Sequence, residues 1–331
     1  MRRLFTKPGQ TGRFLMISLW LAPIYPGLAQ TGVPSAELPS SVEYCDYCLA
    51  SQGISPLEVG SSGVRADLRY LTLGTIYQDG RKTENTEREL ETHLTQQYSV
   101  YFSLSPRFSA GAFVPIAKRH SEQLNEAGEM VTGNVFGLAD ISILLRYKAL
   151  VDHGMETTSI ISLSAGLKLP TGKTNGKDTE GNLLDAHVQL GTGSTDLLVG
   201  LSGFLAFQRI ALIGDLLGSI NTQGANGHEF GNILNYDASI RYRLYPSDFD
   251  ETQLFATFGL YGELRGRELQ DGVPIASSGG NVLFLSPGLQ LFPIHSITIE
   301  ASYHIPVIHA LNGTQLGEDY RLMAGVQFLM N

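Results

Sequence analysis

Charge is scarce in this 331-residue chain. Asp, Glu, Lys and Arg make up 17% of it, against about 25% in an ordinary soluble domain. Long apolar runs are scarce too. Beyond the extreme N-terminus no stretch of 18 residues is apolar enough for a membrane helix, so a helical multi-pass membrane protein is excluded. Two cysteines and one tryptophan exclude a disulfide-built scaffold. An excess of basic residues is also missing. With 23 Lys and Arg against 32 Asp and Glu, the net charge of −9 lacks the basic footprint that nucleic-acid binding needs. What the chain has is 37 glycines and 43% hydrophobic residues, dispersed in short pieces and rich enough in aromatic and β-branched side chains to exclude disorder.

The first 29 residues read as an address. Arg2, Arg3, Lys7 and Arg13 precede an apolar stretch at 14–21, and Gly27-Leu28-Ala29 supplies small residues where a signal peptidase cuts. Pro23 and Pro26 follow that stretch too closely for a membrane anchor, so cleavage before Gln30 is expected. It takes away four bases and no acids, moving the net charge from −9 to −13. Residues 30–63 are then a periplasmic segment, and 64–331 the folded body.

That body alternates with period two. In 234–244, Leu234, Tyr236, Ala238, Ile240, Tyr242 and Leu244 share one face, and Asn235, Asp237, Ser239, Arg241 and Arg243 the other. A strand points successive side chains to opposite faces, so each such segment has an apolar and a polar side. Twelve segments do this: about 64–78, 89–104, 108–116, 137–147, 159–169, 195–207, 210–220, 233–245, 253–264, 281–292, 296–305 and 320–330. Most are longer than a soluble strand of about five or six residues and match the roughly 9–11 that cross a bilayer at a tilt.

Connections alternate as well. Ser105-Pro106-Arg107, Gln208-Arg209 and Pro293-Ile294-His295 are short, whereas 79–88, 117–136, 170–194, 221–232, 265–280 and 306–319 are long, with 148–158 intermediate. Short turns at one end, long loops at the other and an even strand count predict an antiparallel transmembrane β-barrel of the outer-membrane type. Outer-membrane lipid and the barrel-assembly machinery are its expected partners. Phe328 stands three residues before the end rather than closing the chain.

Lipid cannot satisfy polar side chains, so the apolar faces must look outward. Asp140, Arg146, Lys168, Asp196, Asp237, Arg241, Arg243, Glu263, Glu300 and His304 then line the interior, with Arg65, Asp67, Arg69, Glu91, His93, Asp215, Arg265 and Arg321. Eight of these are basic and eight acidic, which argues against a wall of one sign and for pairing across strands. Lys168 falls between Asp140 and Asp196 and is expected to pair with both. Tyr147 and Phe207, outward at the short-turn ends, fit an interfacial girdle.

Motifs for chemistry are weak. Cys45 and Cys48 form a CxxC with no following His, which reads as a local periplasmic disulfide; a redox or metal role shared with a periplasmic partner is the alternative. Gly172-Lys173-Thr174 lacks the spacing and strand-to-helix setting of a phosphate loop. Asp178, Glu180 and Asp185 match no EF-hand spacing and read as a solvated acidic loop. Ser302 and His304, two apart on one face, are expected to sit too far apart for a nucleophile and its base unless their side chains lean together. No catalytic residues, cofactor or metal ligands are read from the sequence, and a non-enzyme is expected.

Gly137-Leu138-Ala139-Asp140-Ile141-Ser142, Leu167-Lys168-Leu169-Pro170-Thr171-Gly172-Lys173 and Gln189-Leu190-Gly191-Thr192-Gly193-Ser194-Thr195-Asp196 form an ordered trio. It resembles the outer-membrane family described as meta-pathway phenol degradation proteins, across about 64–331; Ala139 stands where that family more often has glycine. The resemblance implies a barrel passing small hydrophobic or aromatic compounds. Passive transport of a small solute is thus the expected function. The alternatives are a non-transporting barrel that contacts a periplasmic partner through 30–63, and a membrane-embedded hydrolase.

Overall fold

The computed structural model describes residues 40–41, 62–154, 157–246 and 252–330. The expected signal segment, Cys45, Cys48 and most of 30–61 lie outside them. Twelve long strands dominate: β1 Ser62–Gln78, β2 Leu90–Ser103, β3 Phe108–Leu124, β4 Ile141–His153, β5 Thr157–Leu169, β6 Asp196–Phe207, β7 Ile210–Ile220, β8 Ile233–Tyr245, β9 Gln253–Arg265, β10 Gly280–Ile294, β11 Ile297–Leu311 and β12 Thr314–Met330. Each pairs antiparallel with its neighbours, and β12 pairs with β1 from Thr314↔Gln78 to Met330↔Ser62, which closes the sheet. The fold is an antiparallel transmembrane β-barrel, as the alternation predicts. Closure removes the sheet edges, the condition for strands to cross a membrane without unsatisfied backbone.

Side-chain parity follows the expectation. On β8, Leu234, Ile240, Tyr242 and Leu244 are exposed, while Ile233, Asn235 and Arg243 are buried. The outward row recurs on the other strands, for example as Leu197, Val199, Leu201 and Leu205 on β6. Such a surface would be an aggregation hazard in water and is at home in lipid. Phe207 is exposed at the short-turn end, and Tyr147 stacks on Phe108 at 4.7 Å between ring centres there.

The elements depart from expectation in three places. Strand β3 continues past residue 116 to Leu124, and Met130–Leu138 pairs with this extension; β4 begins only at Ile141 and pairs with the lower half of β3. The change of partner falls at Pro115, which has no N–H to donate to a ladder. The span 117–136 is therefore largely a hairpin, not an irregular loop. Second, 306–319 is not a long connection. Strand β11 runs to Leu311 and β12 starts at Thr314, joined by Asn312-Gly313, with Gly313 at φ 61°. Asn-Gly is a strong tight-hairpin signal because the turn needs positive φ. Third, the β11–β12 ladder stops at His304↔Arg321, two residues before Pro306, although both strands continue. A two-residue strand, Ser40–Ser41, pairs in parallel with Gln315–Leu316.

Candidate functional site

Alternation alone sets what the barrel holds inside. Asp140, Arg146, Lys168, Asp196, Arg243, Glu263 and His304 are buried, and Asp237, Arg241 and Glu300 are half-buried. They do not converge on one site. All but Arg146 fall into three groups between the loop end and the short-turn end.

At the loop end Asp140, Lys168 and Asp196 meet. Lys168 is the register partner of Asp196 across β5 and β6. Its Nζ contacts Asp196 Oδ2 and lies 3.5 Å from Asp140 Oδ2. The Asp140 carboxylate also accepts from the Gly172 N–H at 2.8 Å, and from the Thr192 N–H and hydroxyl at 2.9 Å each. Asp196 Oδ1 accepts from the Thr222 N–H at 3.0 Å. Thr171 Oγ1 donates to the Ala139 carbonyl at 2.8 Å and accepts from the Ile141 N–H at 2.9 Å. The three sequence motifs therefore fold onto one another and pin the loops at 170–195 and 221–232 to the barrel rim. Space dictates Gly191: a Cβ there would come within 2.6 Å of both Asp140 Oδ1 and the Gly172 carbonyl.

Toward the short-turn end, Arg65, Asp67, Asp237, Arg241, Glu300 and His304 surround a polar chamber of about 110 Å³. Arg65 Nε donates to Asp67 Oδ1 at 2.8 Å, and its Nη2 contacts Glu300. Gln290 donates to Glu300 at 3.0 Å and accepts from Arg241 at 2.9 Å. Arg65 pairs with Asp67 and Glu300 as expected, but like charges also meet. Asp215 and Asp237 stand directly opposite each other on β7 and β8. The chamber shares Arg241 and Gln290 with a wider cavity of about 500 Å³ at the short-turn end, which Arg243 also lines. Arg146 is elsewhere, donating to Ser164 on β5 at 3.2 Å.

His304 meets the condition under which it could touch Ser302. Ser302 Oγ lies 3.1 Å from its Nε2, because the two side chains lean together along β11. Ser286 Oγ lies 3.0 Å from its Nδ1. Among the described residues no carboxylate pairs with His304, so the ring meets two hydroxyls where a hydrolytic triad sets one hydroxyl and one carboxylate.

Between chamber and loop end the strands carry a layer of fully buried side chains. Arg69, Glu263 and Arg321 are 0% exposed, and Tyr261 and Phe284 no more than 1%. Arg321 Nη2 lies 2.8 Å from Glu263 Oε1 and 2.5 Å from Glu318 Oε1, and its guanidinium stands 4.8 Å from the Phe284 ring centre. Arg265 contacts the other Glu263 oxygen. Leu71, Phe113, Leu144, Leu198 and Leu217 continue the layer as one apolar cluster around the wall. Charges this deep are tolerable only when paired, as Glu263, Glu318, Arg265 and Arg321 are. Wall-borne side chains fill the interior here over several successive inward positions, from Arg69 through Leu71 and Leu73 to Ile76 on β1.

Sequence reasoning missed Glu318 and Arg119, whose Nη1 donates to Thr95 at 2.9 Å. Both belong to stretches read as loops, and the Asn312-Gly313 turn was the available signal for the first. It also missed His187, His228 and Glu268, which three separate loops bring together. Burial alone would push the Glu268 carboxyl up, but the His187 and His228 imidazoles beside it outweigh burial and hold it at about 2.

No family model and no curated protein sequence matches the chain. Solved structures do. An outer membrane channel of the COG4313 group from Pseudomonas putida F1 superposes with a TM-score of 0.60 at 14% identity, covering 82% of this chain and 96% of that one. The fold is that of an outer-membrane barrel. The transport unit of the autotransporter AIDA-I from Escherichia coli gives 0.43 at 10% identity, over 86% and 96% of the two chains. The CymD monoaromatic hydrocarbon channel gives 0.42 at 7%, over 85% and 92%.

Proposed function

We propose that this barrel lies in the outer membrane of a Gram-negative cell and lets a small solute pass down its gradient. The observation that carries the reading is the chain of interior spaces. A cavity of about 500 Å³ at the short-turn end shares Arg241 and Gln290 with a chamber of about 110 Å³, and buried wall-borne side chains fill the interior between that chamber and the loop end. The chamber wall mixes both signs of charge with Tyr261 and His304. Such a wall suits a small polar or amphipathic solute better than a single inorganic ion, because a selective ion pore presents one sign. The resemblance of the three rim motifs to the meta-pathway family supports small aromatic compounds as the class to test first. No catalytic role is assigned.

Liposomes loaded with the purified protein should take up a small aromatic acid or alcohol faster than protein-free liposomes and should exclude a disaccharide. Equal uptake with and without protein would leave the barrel as an anchor for a periplasmic partner through 30–63.

The reading also orients the barrel, with its long-loop end outside the cell as is usual for such barrels. Cysteines introduced at Asn125 or Asn182, both in loop-end segments, should react with an impermeant maleimide on intact cells. Labelling only after the outer membrane is opened would invert the barrel.

A further inference from the structure

Three loops place one side chain each at a single point of the loop end. His187 comes from the connection between β5 and β6, His228 from that between β7 and β8, and Glu268 from that between β9 and β10. Glu268 Oε2 lies 3.3 Å from His187 Nε2 and 3.2 Å from His228 Nε2, and one donor atom from each residue lies within 4.8 Å of the other two. Ligands on a tetrahedral zinc ion, bound at about 2.0–2.2 Å, stand roughly 3.3–3.5 Å apart. The two Glu–His separations already have that size. As hydrogen bonds they are poor, for the buried His228 Nε2 and Glu268 Oε2 make none of good geometry. The buried His228 Nε2 and Glu268 Oε2, with His187 Nε2 at a like distance from that carboxylate, suit a shared cation.

We propose that His187, His228 and Glu268 form a binding site for a divalent transition metal of the zinc class. Two imidazole nitrogens and one carboxylate favour such an ion over calcium or magnesium, which take oxygen ligands. The backbone holds the ligands in place beforehand. His228 and Glu229 pair with Gln270 and Leu269, fixing one loop to the next. The Glu268 N–H donates to Ser278 Oγ at 2.9 Å, and the His187 N–H to Asp185 Oδ1 at 2.9 Å. Phe230, itself buried, packs edge-on against both imidazoles with ring centres at 5.4 and 4.6 Å. The three residues line a cavity of about 270 Å³. A bound ion cross-links three loops over one mouth of the barrel.

The test uses full-length protein without a polyhistidine tag, stripped with a chelator and titrated with Zn²⁺ against a chromophoric competitor. Because Cys45 and Cys48 can also take zinc, the C45S/C48S protein is the parent. The parent should bind one Zn²⁺ per chain, undisturbed by excess Ca²⁺ or Mg²⁺. His228→Ala and Glu268→Gln in that background should weaken binding at least about tenfold. Heat-dependent gel mobility verifies that each variant is folded. Should a variant fail to fold, Co²⁺ in the parent decides: visible d–d bands of an imidazole–carboxylate site support the assignment, and their absence overturns it. A parent that binds no Zn²⁺, or folded variants that bind it as tightly as the parent, would equally overturn it.

Discussion

Opening the constriction should raise single-channel conductance in planar bilayers by roughly threefold or more, since the narrowest ring of a pore sets its resistance. The variant that does this is Arg321→Ala combined with Glu318→Gln. Arg321 is fully buried and fills the interior between Glu263, Glu318 and the Phe284 ring. Removing it alone would strand the Glu318 carboxylate, and removing one partner of a buried pair costs about 3–5 kcal/mol. Taking out the Glu318 charge at the same time avoids that, while Glu263 keeps its contact with Arg265. A folded double variant that conducts no better than the wild type would place the narrowest point elsewhere.

The second large effect is on stability. Lys168→Met removes the cation shared by Asp140 and Asp196, in a node where Lys168 is 4% exposed. The cost should be about 3–5 kcal/mol. With a denaturant slope of about 1–3 kcal/mol per molar, the urea midpoint for loss of the fast-migrating folded band should fall by roughly 1–5 M. Loops at 170–195 and 221–232 should also become more sensitive to protease, because Asp140 and Asp196 hold them through Gly172, Thr192 and Thr222. An unchanged midpoint would mean that the carboxylates are solvated and the node carries no load.

Most of this barrel was legible because lipid outside and polar side chains inside impose period two on every strand. The bounds of β7 and β8 match the alternation residue for residue. The pairing of Lys168 with Asp196 was legible from parity and register across β5 and β6, whereas Asp140 lies just before β4 and meets Lys168 from the rim. What was hidden has two physical causes. Strands that outrun the membrane no longer need an apolar face, so the extensions 117–124 and 314–319 lose their period and look like loops. Contacts between loops follow no period at all, and nothing in the spacing of His187, His228 and Glu268 announces that they meet. The Ser302–His304 contact depended on rotamers rather than on parity. The apolar cluster of Leu71, Phe113, Leu144 and Leu198 was hidden for a related reason, as inward leucines within a mostly polar lumen break the simple rule.

The central claim, proposed above, is that small solutes cross the barrel past the buried side chains that fill its interior. Wild-type protein, verified as folded by its heat-dependent gel mobility, should be reconstituted at single-molecule dilution into a planar bilayer in potassium chloride. Small, discrete current steps that persist at low voltage are the predicted result. A bilayer that stays silent with folded protein inserted would contradict the account.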